Sequence, residues 1–104
     1  MVMRGAFSDV RLTGDGRVKA SGPMQNDEGF QLKRLNFMLS QKDVMVEGEG
    51  HPAANGTWQG ETDAGSLKAG EYVYAVGVAV LAHEAWPPAV QTFTWCEQVD
   101  LTAG

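Results

Sequence analysis

The feature that most constrains the fold is one long apolar segment, from Tyr72 to Leu81, which predicts a β-strand buried on both faces. Successive residues of a strand point to opposite faces, so the two parities can be examined separately. The even positions carry two tyrosines and three valines. The odd positions are smaller on average: Val73, Ala75, Gly77, Ala79 and Leu81.

A strand covered on one side only is polar on its other side. Because the odd face is apolar over its whole length, it is expected to be covered by a loop, by a second subunit or by a ligand. Where no loop of the chain covers it, we expect a second copy to do so, since small side chains allow a close approach.

Turn signals divide the rest of the chain into short alternating segments. Asp15-Gly16 predicts a hairpin, because glycine accepts the positive φ of such turns. Gly22-Pro23 is expected to break the strand before it, and Gly48, Gly50 and Pro52 are expected to end another. Glu97 shares a strand face with Phe93 and Trp95, which predicts a bulge or a rim position there. The predicted strands are Val10–Leu12, Val18–Ser21, Phe30–Ser40, Val44–Glu47, Thr57–Thr62, Tyr72–Leu81 and Val90–Leu101.

These segments predict an all-β fold, an antiparallel two-sheet sandwich of about seven strands. A chain of 104 residues fits one domain, 1–104, with a core large enough to be stable without disulfide bonds or structural metals. Its single cysteine, Cys96, excludes an internal disulfide.

Part of the sequence resembles a known family. The segment Asn55-Gly56-Thr57-Trp58, followed by Leu67, Gly70 and Tyr72, is similar to the bacterial immunoglobulin-like β-sandwich modules. The resemblance covers Asn55 to Leu81 and implies an immunoglobulin-like sandwich. It implies that Leu67 is a buried plug, that Gly70 is the turn residue, and that Tyr72 is a buried corner tyrosine bonded to the backbone.

The sequence contains no catalytic or metal-binding pattern, so we expect a chain that is not an enzyme and has no cofactor. His51 and His83 are the only histidines, and no ligand spacing joins them to other residues. Cys96 lies between bulky aromatic residues and is expected to pack as a small apolar side chain. Glu47 and Glu49 share one strand parity, which is more typical of a solvated face than of a pair of catalytic acids.

Trp86 is the best indication of a binding site. It precedes Pro87-Pro88 and lies close to His83 and Glu84 in a predicted loop. An exposed tryptophan beside rigid prolines suits a sugar ring or a protein partner. The alternative is that Trp86 folds back and covers the end of the sandwich.

The charge balance narrows the choice of partners. A net charge of −5 disfavours nucleic acid, and no apolar run is long enough to span a membrane. The first nine residues lack the apolar segment of a signal peptide, which is compatible with the cytoplasm or with a processed secreted domain. The expected function is a non-catalytic binding or assembly module with a protein partner or a homo-oligomer. The alternative is a small-ligand or carbohydrate-binding sandwich that uses loop aromatics.

Overall fold

A computed structural model describes residues 3–26, 29–83 and 89–103, and most of them lie in nine β-strands. Within these ranges there is no helix, and so none that could cross a membrane. The strands are β1 (Met3–Gly5), β2 (Asp9–Leu12), β3 (Arg17–Asn26), β4 (Phe30–Gln41), β5 (Val44–Ala53), β6 (Thr57–Asp63), β7 (Tyr72–His83), β8 (Ala89–Asp100) and β9 (Thr102–Ala103).

The all-β prediction is confirmed, but the strand count of about seven is too low. The two strands that were missed are β1 and β9, of three and two residues. Segments this short cannot show the alternation by which a strand is identified from sequence.

The strands form one continuous path of hydrogen-bonded neighbours, in the order β8-β7-β4-β5-β6-β3-β2-β9, with β1 paired to β3 beside the path. All pairs are antiparallel except β2 with β9, where Arg11 lies opposite Thr102. Only Leu101 separates β8 from β9, so these two consecutive strands lie at opposite ends of the path. The strands therefore join in one sheet that curls around the core, in place of two clearly separate sheets.

The bends of this sheet fall at the glycines and prolines that were expected to end strands. The first part of β5 pairs with β4 as far as Glu49, and from Gly50 onward β5 pairs with β6. Similarly, β3 pairs with β2 as far as Ser21 and with β1 from Met24. A Cβ on Gly22 would lie 1.8 Å from the Ala6 carbonyl oxygen, so only glycine fits this crossing. These residues mark a change of partner, not the end of a strand.

The core is centred on Trp58, whose side chain is fully buried. Phe7 meets the Trp58 ring edge-on at 5.2 Å between centroids, and Phe37 and Trp95 lie at 5.9 and 6.4 Å. The Trp58 indole Nε1 donates to the carbonyl oxygen of Ala6 at 3.0 Å, which ties the N-terminal segment to the core. In contrast, the buried Nε1 of Trp95 has no acceptor among the described residues.

The odd face of β7 is covered by the chain itself. Val73, Ala75, Ala79 and Leu81 are fully buried in the single chain. Gly77 lies under the Trp95 indole, since a Cβ there would be 2.2 Å from the ring. The second-copy and ligand alternatives for this face are therefore wrong, because β7 turns its odd residues toward the core.

The corner before β7 is only partly as expected. Leu67 is buried and Gly70 has a φ of 89°, as a plug and a turn residue require. Tyr72, however, is 47% exposed, so the expectation of a buried corner tyrosine is wrong. The reason is parity: Tyr72 shares the outward face of β7 with Tyr74, and the two rings pack on each other at 5.3 Å.

Gln41 stabilises this corner instead. Its side chain is buried, its Nε2 donates to the Lys68 carbonyl oxygen at 2.9 Å, and its Oε1 accepts from the Lys68 N–H at 2.8 Å. Two main-chain bonds continue the attachment, from Gly70 N to Leu101 O and from Leu101 N to Glu71 O. The loop is thus held to β4 by one amide and to the last segment by backbone.

We predict that Gln41→Ala lowers the free energy of unfolding by about 1–3 kcal/mol, because it removes the two part-buried hydrogen bonds that the Gln41 side chain makes with the main chain of Lys68. Gln59→Ala serves as the control, since Gln59 is exposed and its change is expected to stay within about 0.5 kcal/mol. Urea denaturation followed by tryptophan fluorescence measures both. Equal midpoints for the two variants would show that the clamp contributes nothing.

We also predict that Trp58→Phe is more destabilising than Trp95→Phe, by about 1–3 kcal/mol, although both substitutions remove the same atoms. The first leaves the Ala6 carbonyl without its donor, whereas the second removes a donor that already lacks an acceptor. Thermal unfolding of the two variants by calorimetry tests the order, and the reverse order would contradict it.

Candidate protein-binding face

The candidate site is the side of strands β5, β4, β7 and β8 that points away from the core. We call it the outer face. It comprises the even-numbered residues within 34–40, 72–80 and 90–100, together with Met45, Glu47 and Glu49. Burial alternates along these strands, which separates this face from the core side.

An apolar column runs along the middle of the outer face. Val76, Val78 and Val80 of β7 are half-buried there. Val76 is flanked by Met38 on β4 and by Cys96 on β8, which lie directly opposite it in the two ladders. Cys96 is exposed, so the expectation that it packs as a core residue is wrong. The even parity of β8 places it outside, while its neighbour Trp95 points inward.

Three large side chains at one end of the column are exposed. Tyr72 is 47% exposed, Tyr74 50% and Met45 66%. Ser40 lies opposite both Tyr74 and Met45, so Met45, Ser40 and Tyr74 form one row across three strands, and Tyr72 lies beside Tyr74 at the start of β7. The two tyrosine rings meet nearly at right angles, at 81° between their planes. Beside them lies a shallow depression of about 240 Å³, with Lys42 and Glu71 at its edge.

Tyr72 affects the ionisation of the neighbouring Tyr74. Hydrogen bonding with Tyr72 raises the pKa of Tyr74 above its ordinary value, and the charge of an ionised Tyr72 and desolvation act in the same direction. Near neutral pH the Tyr74 phenol is protonated, as tyrosine ordinarily is, and it can donate or accept a hydrogen bond.

The rim of the outer face is mainly acidic. Glu47, Glu49 and Asp100 are exposed there, whereas Arg34 is the cation within the face. Lys42 forms an exposed ion pair with Glu71 at 3.4 Å, so its charge is partly compensated. A partner with basic residues around an apolar centre would be complementary to this arrangement.

Of the three binding residues predicted from the sequence, the structure describes only His83. His83 ends β7, and its ring meets that of Phe30 edge-on at 4.7 Å. Glu84 and Trp86 lie outside the described residues, so the loop site for a sugar or a protein stays a prediction. The sequence signal for the outer face is the even parity of Tyr72–Leu81, which the sequence predicted to be buried like the odd parity.

The opposite, polar side of the molecule carries charges that compensate one another. Arg17 bonds Glu61 at 2.6 Å and Asp63 at 2.8 Å, and the bond with Glu61 is the main cause that raises the pKa of Arg17. His51 borders a shallow polar concavity of about 590 Å³ on this side. The described residues contain no group of three or more side chains that could hold a metal ion.

We predict that Tyr72→Phe lowers the pKa of Tyr74, because it removes both the hydroxyl partner and the nearby phenolate charge. A titration of tyrosinate absorbance measures this, since Tyr72 and Tyr74 are the two tyrosines of the chain. The variant should show one tyrosine ionisation, at a lower pH than the second of the two tyrosine ionisations in the wild type. A transition at the same or a higher pH would exclude hydrogen bonding between the pair.

Comparison with known proteins supports the fold and no more. No family model matches the chain, and no curated protein matches it. Among solved structures, murine CRIg, an immunoglobulin-like domain, superposes with a TM-score of 0.53 over 98% of each chain, at 8% sequence identity. At this identity the likeness concerns architecture alone. The fold is immunoglobulin-like, and the likeness does not support the bacterial origin that the sequence resemblance implied.

Proposed function

We propose that the chain is a non-catalytic binding module that holds a protein partner on its outer face. The observation that carries the proposal is the exposure of Tyr74 and Met45 in one row, with Tyr72 beside it, at the end of an apolar sheet column. An immunoglobulin-like fold is compatible with a recognition role, although a fold alone does not assign one.

The composition of the row suits an interface. Tyrosine and methionine are enriched at the centres of protein interfaces, and tyrosine loses little conformational freedom on binding. The strands beneath them are paired on both sides in β4 and β7, so the backbone that carries Tyr74 is held rigidly. A rigid support lowers the entropy lost when a partner binds.

The rim favours a partner different from the chain itself. A second copy would bring Glu47, Glu49 and Asp100 against an equally acidic rim, and like charges across an interface are unfavourable. A protein with lysine or arginine around an apolar patch meets both the column and the rim. A homo-oligomer is therefore the less favoured form of the assembly.

The experiment uses a photo-crosslinking amino acid introduced at position 45 and, as the matched control, at exposed Gln59 on the polar side. Position 45 is expected to yield a discrete cross-linked protein in cells, identified by mass spectrometry. The same protein, purified, should bind Tyr74→Ala at least ~10-fold more weakly than wild type, as expected for a residue central to an interface.

Two results would contradict the proposal. One is a cross-link from position 59 in place of position 45. The other is unchanged affinity for Tyr74→Ala in a partner captured at position 45. A cross-link between two copies of the chain would assign the face to self-association instead.

A further inference from the structure

A second surface of the molecule has free backbone groups. Strand β8 is at the end of the pairing order, and among the described residues no strand pairs with its outer edge along Ala89–Asp100. Strand β1 pairs with β3 alone. Free strand edges usually carry lysine or proline as protection, and β8 has neither over its twelve residues. Its unpaired N–H and C=O groups are therefore available to another strand.

The edges of β8 and β1 face each other across a gap that we call the seam. At one end the seam is closed, because β9 pairs directly with β2. Further along it is bridged by one side chain, where the Phe7 N–H donates to Glu97 Oε2 at 2.6 Å. Beyond this bridge, backbone pairing is absent from the described residues. The bulge expected at Glu97 is not present, since the β7–β8 register runs unbroken past it.

The open part of the seam is a cleft of about 740 Å³. Its walls are largely apolar, with Met3 and Met24 on one side and Phe93 and Trp95 on the other. Arg4 is the charged side chain in the lining, it is exposed, and it forms no ion pair with any described residue. An apolar trough with one uncompensated cation favours an occupant that brings apolar side chains and a carboxylate.

The strand directions define how an occupant would pair. Arg11 lies opposite Thr102 in the parallel pair of β2 with β9. The hydrogen-bonded residues Phe7 and Glu97 are 90 residues apart in sequence, which is nearly the separation of Arg11 and Thr102. Strands β1 and β8 therefore run in the same direction on either side of the seam. A segment between them can run antiparallel to both, which is the slightly more stable form of strand pairing.

We propose that the seam binds an extended peptide segment of another protein, which adds as a strand along β8 with alternate apolar side chains in the cleft and one carboxylate on Arg4. Main-chain bonds to β8 supply affinity, and the cleft and Arg4 supply selectivity. This site shares strand β8 with the outer face, but it uses the free edge of the strand and the cleft beside it, so it is a second binding surface in addition to the proposed function.

The test uses the peptide Ser-Val-Thr-Val-Glu-Val-Thr-Val-Ser, acetylated and amidated at its ends, added to the isotope-labelled whole chain. Amide shifts are expected at Phe93, Thr94 and Gly5, and slowed hydrogen exchange is expected along the outer edge of β8. The indole N–H of Trp95 is a built-in reporter, because it is buried beside the cleft and has no acceptor within residues 3–26, 29–83 and 89–103.

Three matched controls test the chemistry. A peptide with proline at its centre should not bind, because proline removes a donor and blocks the added strand. Arg4→Gln should weaken binding of the parent peptide by about threefold to tenfold, and the peptide with glutamine in place of glutamate should be weakened similarly. Arg11→Gln, which changes a charge on the polar side, and Tyr74→Ala should leave seam binding unchanged.

Several results would overturn the inference. Absence of shifts at the seam with about 1 mM peptide would exclude a site of useful affinity. Shifts confined to Met45, Tyr72 and Tyr74 on the outer face would exclude the seam while supporting the proposed function. Equal binding by wild type and Arg4→Gln would exclude the acidic occupant. A dimer in light scattering, with seam shifts that depend on protein concentration alone, would show that a second copy fills the site.

Discussion

The structure depends on the space taken by three aromatic side chains in its interior. Trp58, Phe37 and Trp95 lie between the two sides of the curled sheet, and the surrounding strands leave room for them by carrying glycine. A Cβ on Gly60 would lie 2.5 Å from the Phe37 ring, and one on Gly5 would lie 2.7 Å from the Trp95 ring. The high glycine content, 13 residues, therefore reflects packing in strands as well as turns. The sheet can curl tightly because the glycines on its inner surface leave space for the rings.

Local patterns predicted the strands and long-range packing decided their arrangement. The alternation in Val18–Ser21 and Tyr72–Leu81 depends on neighbours along the chain, so it can be recognised in the sequence. The change of partner at Gly22 and at Gly50 depends on which distant strand lies alongside, and no local signal gives this. The same limit explains why the sequence did not reveal which face of β7 belongs to the core. Both faces are apolar, and only the position of Trp95 over Gly77 decides which one is the core.

The apolar composition of the outer face follows from the choice of the odd face of β7 as the core side. Because the small residues of β7 are needed inside to accommodate Trp95, the larger Tyr72, Tyr74 and the valines are directed outward. An apolar patch on the surface is thus a consequence of how the interior is packed, and a partner can use it without any change in the fold. The site could not be found from residue types that signal chemistry, such as His51 or Cys96, since its members are ordinary strand formers.

The parallel pairing of β2 with β9 has a mechanical consequence. These strands lie near the two ends of the described chain and run in the same direction, with Arg11 opposite Thr102 and Leu12 opposite Ala103. Tension applied between the ends would slide the two strands past each other, so the hydrogen bonds between them would be loaded together instead of being opened one at a time. Resistance to such a force is a matter of unfolding rate and not of equilibrium stability. If the domain is held between two tethered neighbours, this short ladder is loaded in shear once force has passed the β1–β3 pairs nearer the N-terminal end.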